Sequence, residues 1–337
     1  MDDHLVTVLM PVYNAERFLK RAIDSILNQS FKNIEFLIIN DGSTDLSLQI
    51  IKSYKDDRIK LIENDKNYGL IYSLNKGIEI ANGKYIARMD ADDISYPERI
   101  KKQYTYLEGH VNVGILGTLI KGASKFKTYA NNNLNTSDLK ARIIFNNIFY
   151  HPTVIFRSSF IKNSAVLYNP DFKHGEDYQL WLSALRCTDF AIINEPLLYY
   201  ENHPDQVSAI YNLQQRAAVI KSLEFFFNQI NLIFTANELE IHRRLFYQDY
   251  IYDVDFLNTV EKWVLKIASN TELEKIVGKE TLQKTVSVIW FEVCTHFASN
   301  RIDTYQLFYE SSCAKPQDIS SFYKALFLLK RIKNKLK

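Results

Sequence analysis

Four short apolar runs, LVTVLMP (5–11), IEFLIIN (34–40), RIKLIE (58–63) and KYIARM (84–89), alternate with stretches of helical period. The runs are rich in Val, Ile and Leu and too short for buried helices, so they read as strands. Between the first two, AERFLKRAIDSILNQS sets Phe18, Leu19, Ala22, Ile23, Ile26 and Leu27 on one helical face. NDGSTD (40–45) is a turn in which Ser43, Thr44 or Asp45 can cap a helix running to about Tyr54. Residues 69–81 are helical again and end at Asn82-Gly83, a C-cap or turn. Strand, helix, strand at this spacing is a βαβ alternation and predicts a mainly parallel sheet flanked by helices. Ligands bind beyond the carboxyl ends of such strands. Asn14, Asp41 and Asp90 each follow a strand end, so three polar clusters are expected to converge on one edge.

The rest is less regular. VGILGTLI (113–120), PTVIF (152–156) and FAIINEPLLYY (190–200) read as strands, and GEDYQLWLSALR (175–186) as a helix with Glu176 and Asp177 in its first turn, where the helix dipole favours acids. From about Leu213 the pattern is helical, with capping-box signals at TANE (235–238) and SNTE (269–272). The expected organisation is a first domain over 1–212, divided into halves 1–105 and 106–212, and a helical region over 213–337.

At 337 residues and 47% hydrophobic, the chain can bury a large core. A formal net charge of +2 gives no sign of a nucleic-acid binder. Neither a secretion signal nor an apolar run of ~18 residues is evident, and Cys187, Cys294 and Cys313 are too scattered for a disulfide frame or zinc site. These features lead us to expect a cytoplasmic protein.

The fourth strand delivers Asp90, Asp92 and Asp93, three acids in four positions. Such a cluster repels itself unless a cation or donor array neutralises it. A calcium loop counted from Asp90 would need Gly and Glu where Ser95 and Lys101 stand. P-loop and G-x-G-x-x-G patterns are absent. A haloacid-dehalogenase-like phosphotransferase also uses Asp-x-Asp after a strand, but no convincing acidic pair follows downstream. What remains is a divalent cation bridging carboxylates to phosphate oxygens.

At this level of detail VTVLMPVYNAERFLKRAIDSILNQS, EFLIINDGSTD, NYGLIYSLNKGIEIANGKYIARMDADD and YPERIKKQ resemble the family 2 glycosyltransferases, inverting enzymes of GT-A fold. HPTVIFR, GEDYQLWL and ENHPDQVS are similar to later motifs of that family in order and spacing. The likeness covers roughly residues 4–210 and is nearest to bacterial lipo-oligosaccharide and capsule enzymes of the β-1,3-N-acetylgalactosaminyl- or galactosyltransferase type. It implies a UDP-sugar donor, UDP-GalNAc or UDP-Gal foremost, an oligosaccharide or glycolipid acceptor, Mn²⁺ or Mg²⁺, and a β-linked product.

The resemblance also implies roles for single residues. Pro11, Tyr13, Asn14 and Glu16 border the nucleotide, with Tyr13 on the uracil face. Asp41 accepts the uracil imide N–H, and Asn40 stands where many relatives carry Asp. Asn67 and Gly69 shape the adjoining loop. Arg88 contacts ribose, diphosphate or donor sugar, or neutralises the aspartates. Asp90 orients ribose and sugar, and Asp92 ligates the metal, with Asp90 and His203 as further ligands. Asp93 touches the sugar or caps the helix beginning near Pro97. Asp177 is the general base and Glu176 binds acceptor or donor. His151 supports the acceptor pocket, and Trp181 is a core residue. Competing readings are a different donor (UDP-Glc, UDP-GlcNAc, a dTDP- or GDP-sugar), a non-catalytic glycan-binding scaffold, and a phosphotransferase. The C-terminal helices would complete the acceptor site or form a homodimer face. The tail SSFYKALFLLKRIKNKLK places Phe322, Leu326, Leu329 and Ile332 on one face among Lys324, Lys330, Arg331, Lys333, Lys335 and Lys337. That pattern suits either a membrane-surface helix or a packed helix with a solvated basic end.

Overall fold

The computed structural model describes residues 5–122, 134–163, 166–204, 206, 210–298 and 304–335. Two compact units emerge, residues 1–136 with 148–222, and residues 137–147 with 223–337.

The first unit carries strands β1 (Val6–Val12), β2 (Ile34–Asn40), β3 (Ile59–Glu63), β4 (Tyr85–Arg88), β5 (Ile94–Ser95), β6 (Val113–Lys121), β7 (Ile155–Arg157) and β8 (Asp189–Tyr199). Its early helices are α1 (Glu16–Leu27), α2 (Ser47–Ser53), α3 (Leu70–Ile80) and α4 (Arg99–Gly109). After α5 (Thr136–Ile143), most of which belongs to the second unit, come α6 (Ser158–Asn163) and α7 (Glu176–Ala184). The strands form one mixed sheet in the order β3-β2-β1-β4-β7-β6-β8-β5. β3, β2, β1 and β4 are parallel, as helical crossovers require. β7 is antiparallel to both β4 and β6, β6 pairs parallel with β8, and β5 closes the far edge antiparallel to β8.

The central strands are buried on both faces. On one, Val6, Val8, Met10 and Val12 join Leu19, Ala22, Ile23 and Ile26 of α1 in one cluster. Each of the Val, Leu, Ile and Met side chains contributes about 1.5–3 kcal/mol when fully buried. Pro11 fits because of register. Leu9 O accepts from Met89 N, and Pro11, two residues on, faces the same side beyond the last β1–β4 pair, Leu9 with Arg88. Its missing N–H therefore breaks no ladder.

Several local expectations need correcting. PTVIF is only partly strand: His151–Thr153 form a 3₁₀ turn and β7 begins at Ile155. None of the NDGSTD side chains is the N-cap of α2, which is Leu46, although Asp45 Oδ1 accepts from Ser47 N. Asp93 does not cap α4, whose N-cap is Glu98.

In the second unit Thr235 forms the expected capping box, with both reciprocal bonds to Glu238 present. The signal at SNTE resolves differently: Asn270 is the N-cap, accepting from Leu273 N, while Ser269 Oγ donates to Lys266 O. The last helix, Ser321–Lys335, buries Phe327 against Phe291, Tyr305 and Phe308. Leu326 and Leu329 are exposed, while the side chains of Phe322, Ile332, Lys333 and Lys335, and all of Lys337, lie outside the described residues. Among the described residues no helix is long and apolar enough to cross a membrane.

Candidate active site

The loops after β1 and β2 are tied together side chain to backbone. Thr44 N donates to Asn14 Oδ1 (2.8 Å) and Asn14 N to Ser43 Oγ (3.1 Å). Glu16 N donates to Asp45 Oδ2 (3.0 Å), and Leu46 N returns a bond to Glu16 Oε2 (2.8 Å). Asn14 accepts the left-handed backbone (φ 47°), which Asn tolerates better than most residues. Asn14 and Glu16 thus fix the entrance loops, and between them Tyr13 stands 48% exposed. Asn40 is buried, and its Oδ1 accepts from Ser43 N.

Asp41 is buried at the end of β2. It accepts from Asn64 Nδ2 (2.7 Å), Tyr68 N (3.1 Å) and Gly69 N (2.8 Å). Asn67 Oδ1 also accepts from Gly69 N (2.9 Å). The loop carrying Asn67 and Gly69 is therefore hung on the Asp41 carboxylate, immediately before α3.

The third strand end is the most charged. Arg88, buried, pairs with Asp90. Burial and the neighbouring Asp92 raise the Asp90 carboxyl, while Arg88 holds it down; burial dominates and the net direction is upward. His203 Nε2 lies 3.0 Å from Asp92 Oδ2, its ring against Phe18. Asp93 is fully buried, with Oδ1 accepting from Glu201 N (3.0 Å). Burial, with Asp90 and Asp92 beside it, pushes its carboxyl up to about 9. Three residues not singled out from the sequence brace this turn. Arg99 of α4 donates to Arg88 O (2.6 Å), and Arg21 of α1 is paired with Glu201 (2.6 Å) and reaches Asp92 O (3.4 Å). Arg99 lies in YPERIKKQ and Glu201 opens ENHPDQVS, but nothing in spacing alone marks either as a brace.

Carboxylate oxygens of Asp90, Asp92 and Asp93 all fall within 4.8 Å of one another. Asp93 Oδ2 and His203 Nδ1 are buried without a hydrogen-bond partner. Clustered carboxylates with an adjacent imidazole are a donor set that fits a hard divalent cation.

Helix α7 begins with Glu176 and Asp177. Glu176 is buried, and burial with Asp177 alongside pushes its carboxyl up to about 7. Asp177 Oδ1 accepts from Tyr178 N (2.7 Å). Nearby, His151 Nε2 is hydrogen-bonded to the Tyr168 hydroxyl (2.6 Å), and Asn75 clamps the Tyr168 backbone through both N–H and C=O. Trp181 is fully buried among Phe149, His151 and Phe156.

A cavity of about 1320 Å³ is lined by some of these groups; His151, Tyr168 and Trp181 are not among them. Pro11, Tyr13, Asn14, Glu16, Asp41, Asn67 and Gly69 line one part of it. Asp90, Asp92, His203 and Glu176 also line it, whereas Arg88, Asp93 and Asp177 stand outside its lining. The volume exceeds the ~300–1,000 Å³ usual for one small ligand.

Residues 7–193 match the sequence profile described as Glycosyl transferase family 2. A Haemophilus influenzae protein described as an uncharacterized glycosyltransferase is 35% identical over 279 residues, which cover 77% of this chain and 84% of the relative. The Escherichia coli UDP-Glc:alpha-D-GlcNAc-diphosphoundecaprenol beta-1,3-glucosyltransferase WfgD is 30% identical over 207 residues, 58% of this chain and 75% of its own. Among solved structures, S. aureus TarS 1-349 in complex with UDP-GlcNAc superposes with a TM-score of 0.55 at 16% identity, covering 98% of this chain and 88% of that one. Mannosyltransferase PcManGT from Pyrobaculum calidifontis, in complex with GDP-Man and Mn²⁺, gives a TM-score of 0.56 at 14% identity, covering 98% and 86%. At such identities the structural likeness speaks to the fold.

Proposed function

The chain belongs to glycosyl transferase family 2, a transferase of GT-A fold, and from that premise we propose that it moves a hexose or N-acetylhexosamine from a UDP-sugar to a hydroxyl of a surface glycan with inversion. The observation that carries this reading is the single cavity that exposes Tyr13, Asp41, Asp90, Asp92, His203 and Glu176 together. Tyr13 takes the base face, and Asp41, already set by three donors, accepts the imide N–H. Asp92, Asp90 and His203 hold the divalent cation, Mn²⁺ or Mg²⁺. When bound, that cation supplies Lewis-acid stabilisation of charge on the leaving diphosphate.

The remaining steps belong to the chain's own side chains. The acceptor hydroxyl oxygen bonds to the anomeric carbon as the bond to the diphosphate oxygen breaks on the opposite face. The hydroxyl proton passes to a carboxylate of the Glu176–Asp177 pair, with Asp177 as base and Glu176 holding the sugar. An α-linked donor then gives a β-linked product. UDP-GalNAc or UDP-Gal is the donor proposed from the sequence motifs, and the 30% identity to WfgD favours UDP-Glc as the second. The same relative suggests a lipid-linked acceptor, for which the exposed Leu326 and Leu329 of the basic last helix supply a contact with the inner membrane surface.

A thermal-shift series with UDP, dTDP, GDP and CDP, each with and without Mn²⁺, tests the assignment. A nucleotide at about 100 times its Kd stabilises the fold by ~2.7 kcal/mol. A metal-dependent shift with UDP is expected, together with loss of transfer in a folded Asp92→Ala variant. Normal turnover in that variant, or no shift with any nucleotide, would sink the reading.

A further inference from the structure

We infer that Tyr211 and His174 form the platform on which the acceptor's sugar ring lies, an assignment that rests on the glycosyl-transfer reading above. Residues 170–175 lead directly into α7 and Glu176. His174 there adopts the left-handed backbone (φ 70°), uncommon for a residue with a side chain. Its ring stacks on Tyr211 with centroids 4.3 Å apart and planes 15° from parallel.

Tyr211 is held in place by the turns that follow it. Gln215 N donates to Tyr211 O (2.8 Å) as the helix Asn212–Gln229 begins. That helix seats closely on the loop because position 175 is glycine: a Cβ there would lie 2.7 Å from Ala218 Cβ. Lys221 Nζ donates to Asp171 O (2.8 Å) and sits 4.9 Å from the Phe172 ring centroid. These contacts bring an aromatic pair to the cavity wall two residues from Glu176.

His174 covers one face of Tyr211, yet Tyr211 remains 38% exposed and lines the cavity with Leu167 and Pro170. A part-exposed aromatic ring sharing the wall with aliphatic groups suits the C–H face of a pyranose better than a charged group. The nucleotide has its own aromatic at Tyr13, beside the imide acceptor Asp41. A sugar on Tyr211 instead lies in the part of the cavity wall that also carries His174 and Glu176.

The test uses the full chain with UDP and Mn²⁺ present. Methyl β-D-glycosides of glucose, galactose, N-acetylglucosamine and N-acetylgalactosamine are titrated and binding is read by saturation-transfer NMR. At least one glycoside is expected to bind, with saturation strongest at its ring C–H protons. Tyr211→Ala should weaken it about tenfold, the size of one lost aromatic contact, and Tyr211→Phe should retain it. The UDP-induced thermal shift should be equal in all three proteins. Equal glycoside affinity in Tyr211→Ala, or no glycoside signal in a wild type that still responds to UDP, overturns the platform alone. Loss of the UDP response only in Tyr211→Ala overturns it too, by moving the residue to the donor side. A wild type without a UDP response overturns the underlying glycosyl-transfer reading.

Discussion

Two oxygens of Asp41 receive three protein donors, and a carboxylate has about four acceptor positions. One position stays for a ligand N–H. Asp41→Asn replaces one oxygen with an amino group facing N–H donors. We expect it to lower stability by about 1–3 kcal/mol and to weaken UDP binding, measured by urea unfolding and calorimetry; unchanged affinity would remove Asp41 from the nucleotide site. Glu176 titrates near 7 in the fold, raised first by burial and then by Asp177, with Arg88 opposing. If its ionised form serves transfer, the rate rises with pH through about 7, and that limb vanishes in Glu176→Gln. A variant with the same pH profile would assign the limb to another group. Asp177→Asn should lower kcat by about 10²–10⁴ while UDP still binds, the usual range for a lost general base. The type of each acid was legible in the sequence. Its exposure was not: Asp92 reaches the cavity while its neighbour Asp93 is fully buried, although their carboxylates lie within 4.8 Å of each other.

At the scale of elements, the turn after β2 depends on Gly42, at φ 68°. A Cβ there would come within 2.7 Å of Asn67 N, in the loop that Asp41 holds. Gly42→Ala should therefore cost about 1–3 kcal/mol, from the left-handed backbone and the clash together. It should also loosen the 67–69 loop, visible as faster amide exchange there; unchanged exchange and stability would refute the coupling. Elements with a repeated apolar period were readable, as in β1, α1 and β2, since burial on a sheet face or helix stripe imposes the period. β5, only two residues long, carries no period, and its existence follows from pairing with β8. Asn270 displaced Ser269 as a cap because both residue types accept such a bond and packing chose the start.

At the scale of the whole molecule, the second unit buries His242 fully; it donates from Nε2 to Ile144 O (2.8 Å) and accepts at Nδ1 from Trp263 (3.0 Å). Burial lowers its pKa from 6.5 to about 4. The unfolded chain takes up a proton near 6.5 that the folded chain refuses until about 4, so this contribution is intact above 6.5 and is lost as pH falls through the window. From pH 7 to 5 the loss is about 2 kcal/mol, at ~1.4 kcal/mol per unit. Urea unfolding of the wild type and His242→Gln at both pH values checks this; the same pH dependence in both would refute it. The last helix gives a second expectation at this scale. Vesicles containing anionic lipid should retain the full chain more strongly than neutral vesicles, and Leu326→Ser with Leu329→Ser should weaken retention on both; equal retention on the two vesicle types would refute the contact.

The sequence by itself determined the parallel first half of the sheet, the order of the polar clusters along it and the chemistry of their side chains. Those follow from period, length and residue type, which are local properties. Tertiary structure alone decided that β7 enters antiparallel between β4 and β6, which carboxylates face the cavity, and that Tyr211 meets His174 beside Glu176. Each of those depends on contacts between residues far apart in the chain, where burial and close packing select one arrangement from several that local chemistry allows.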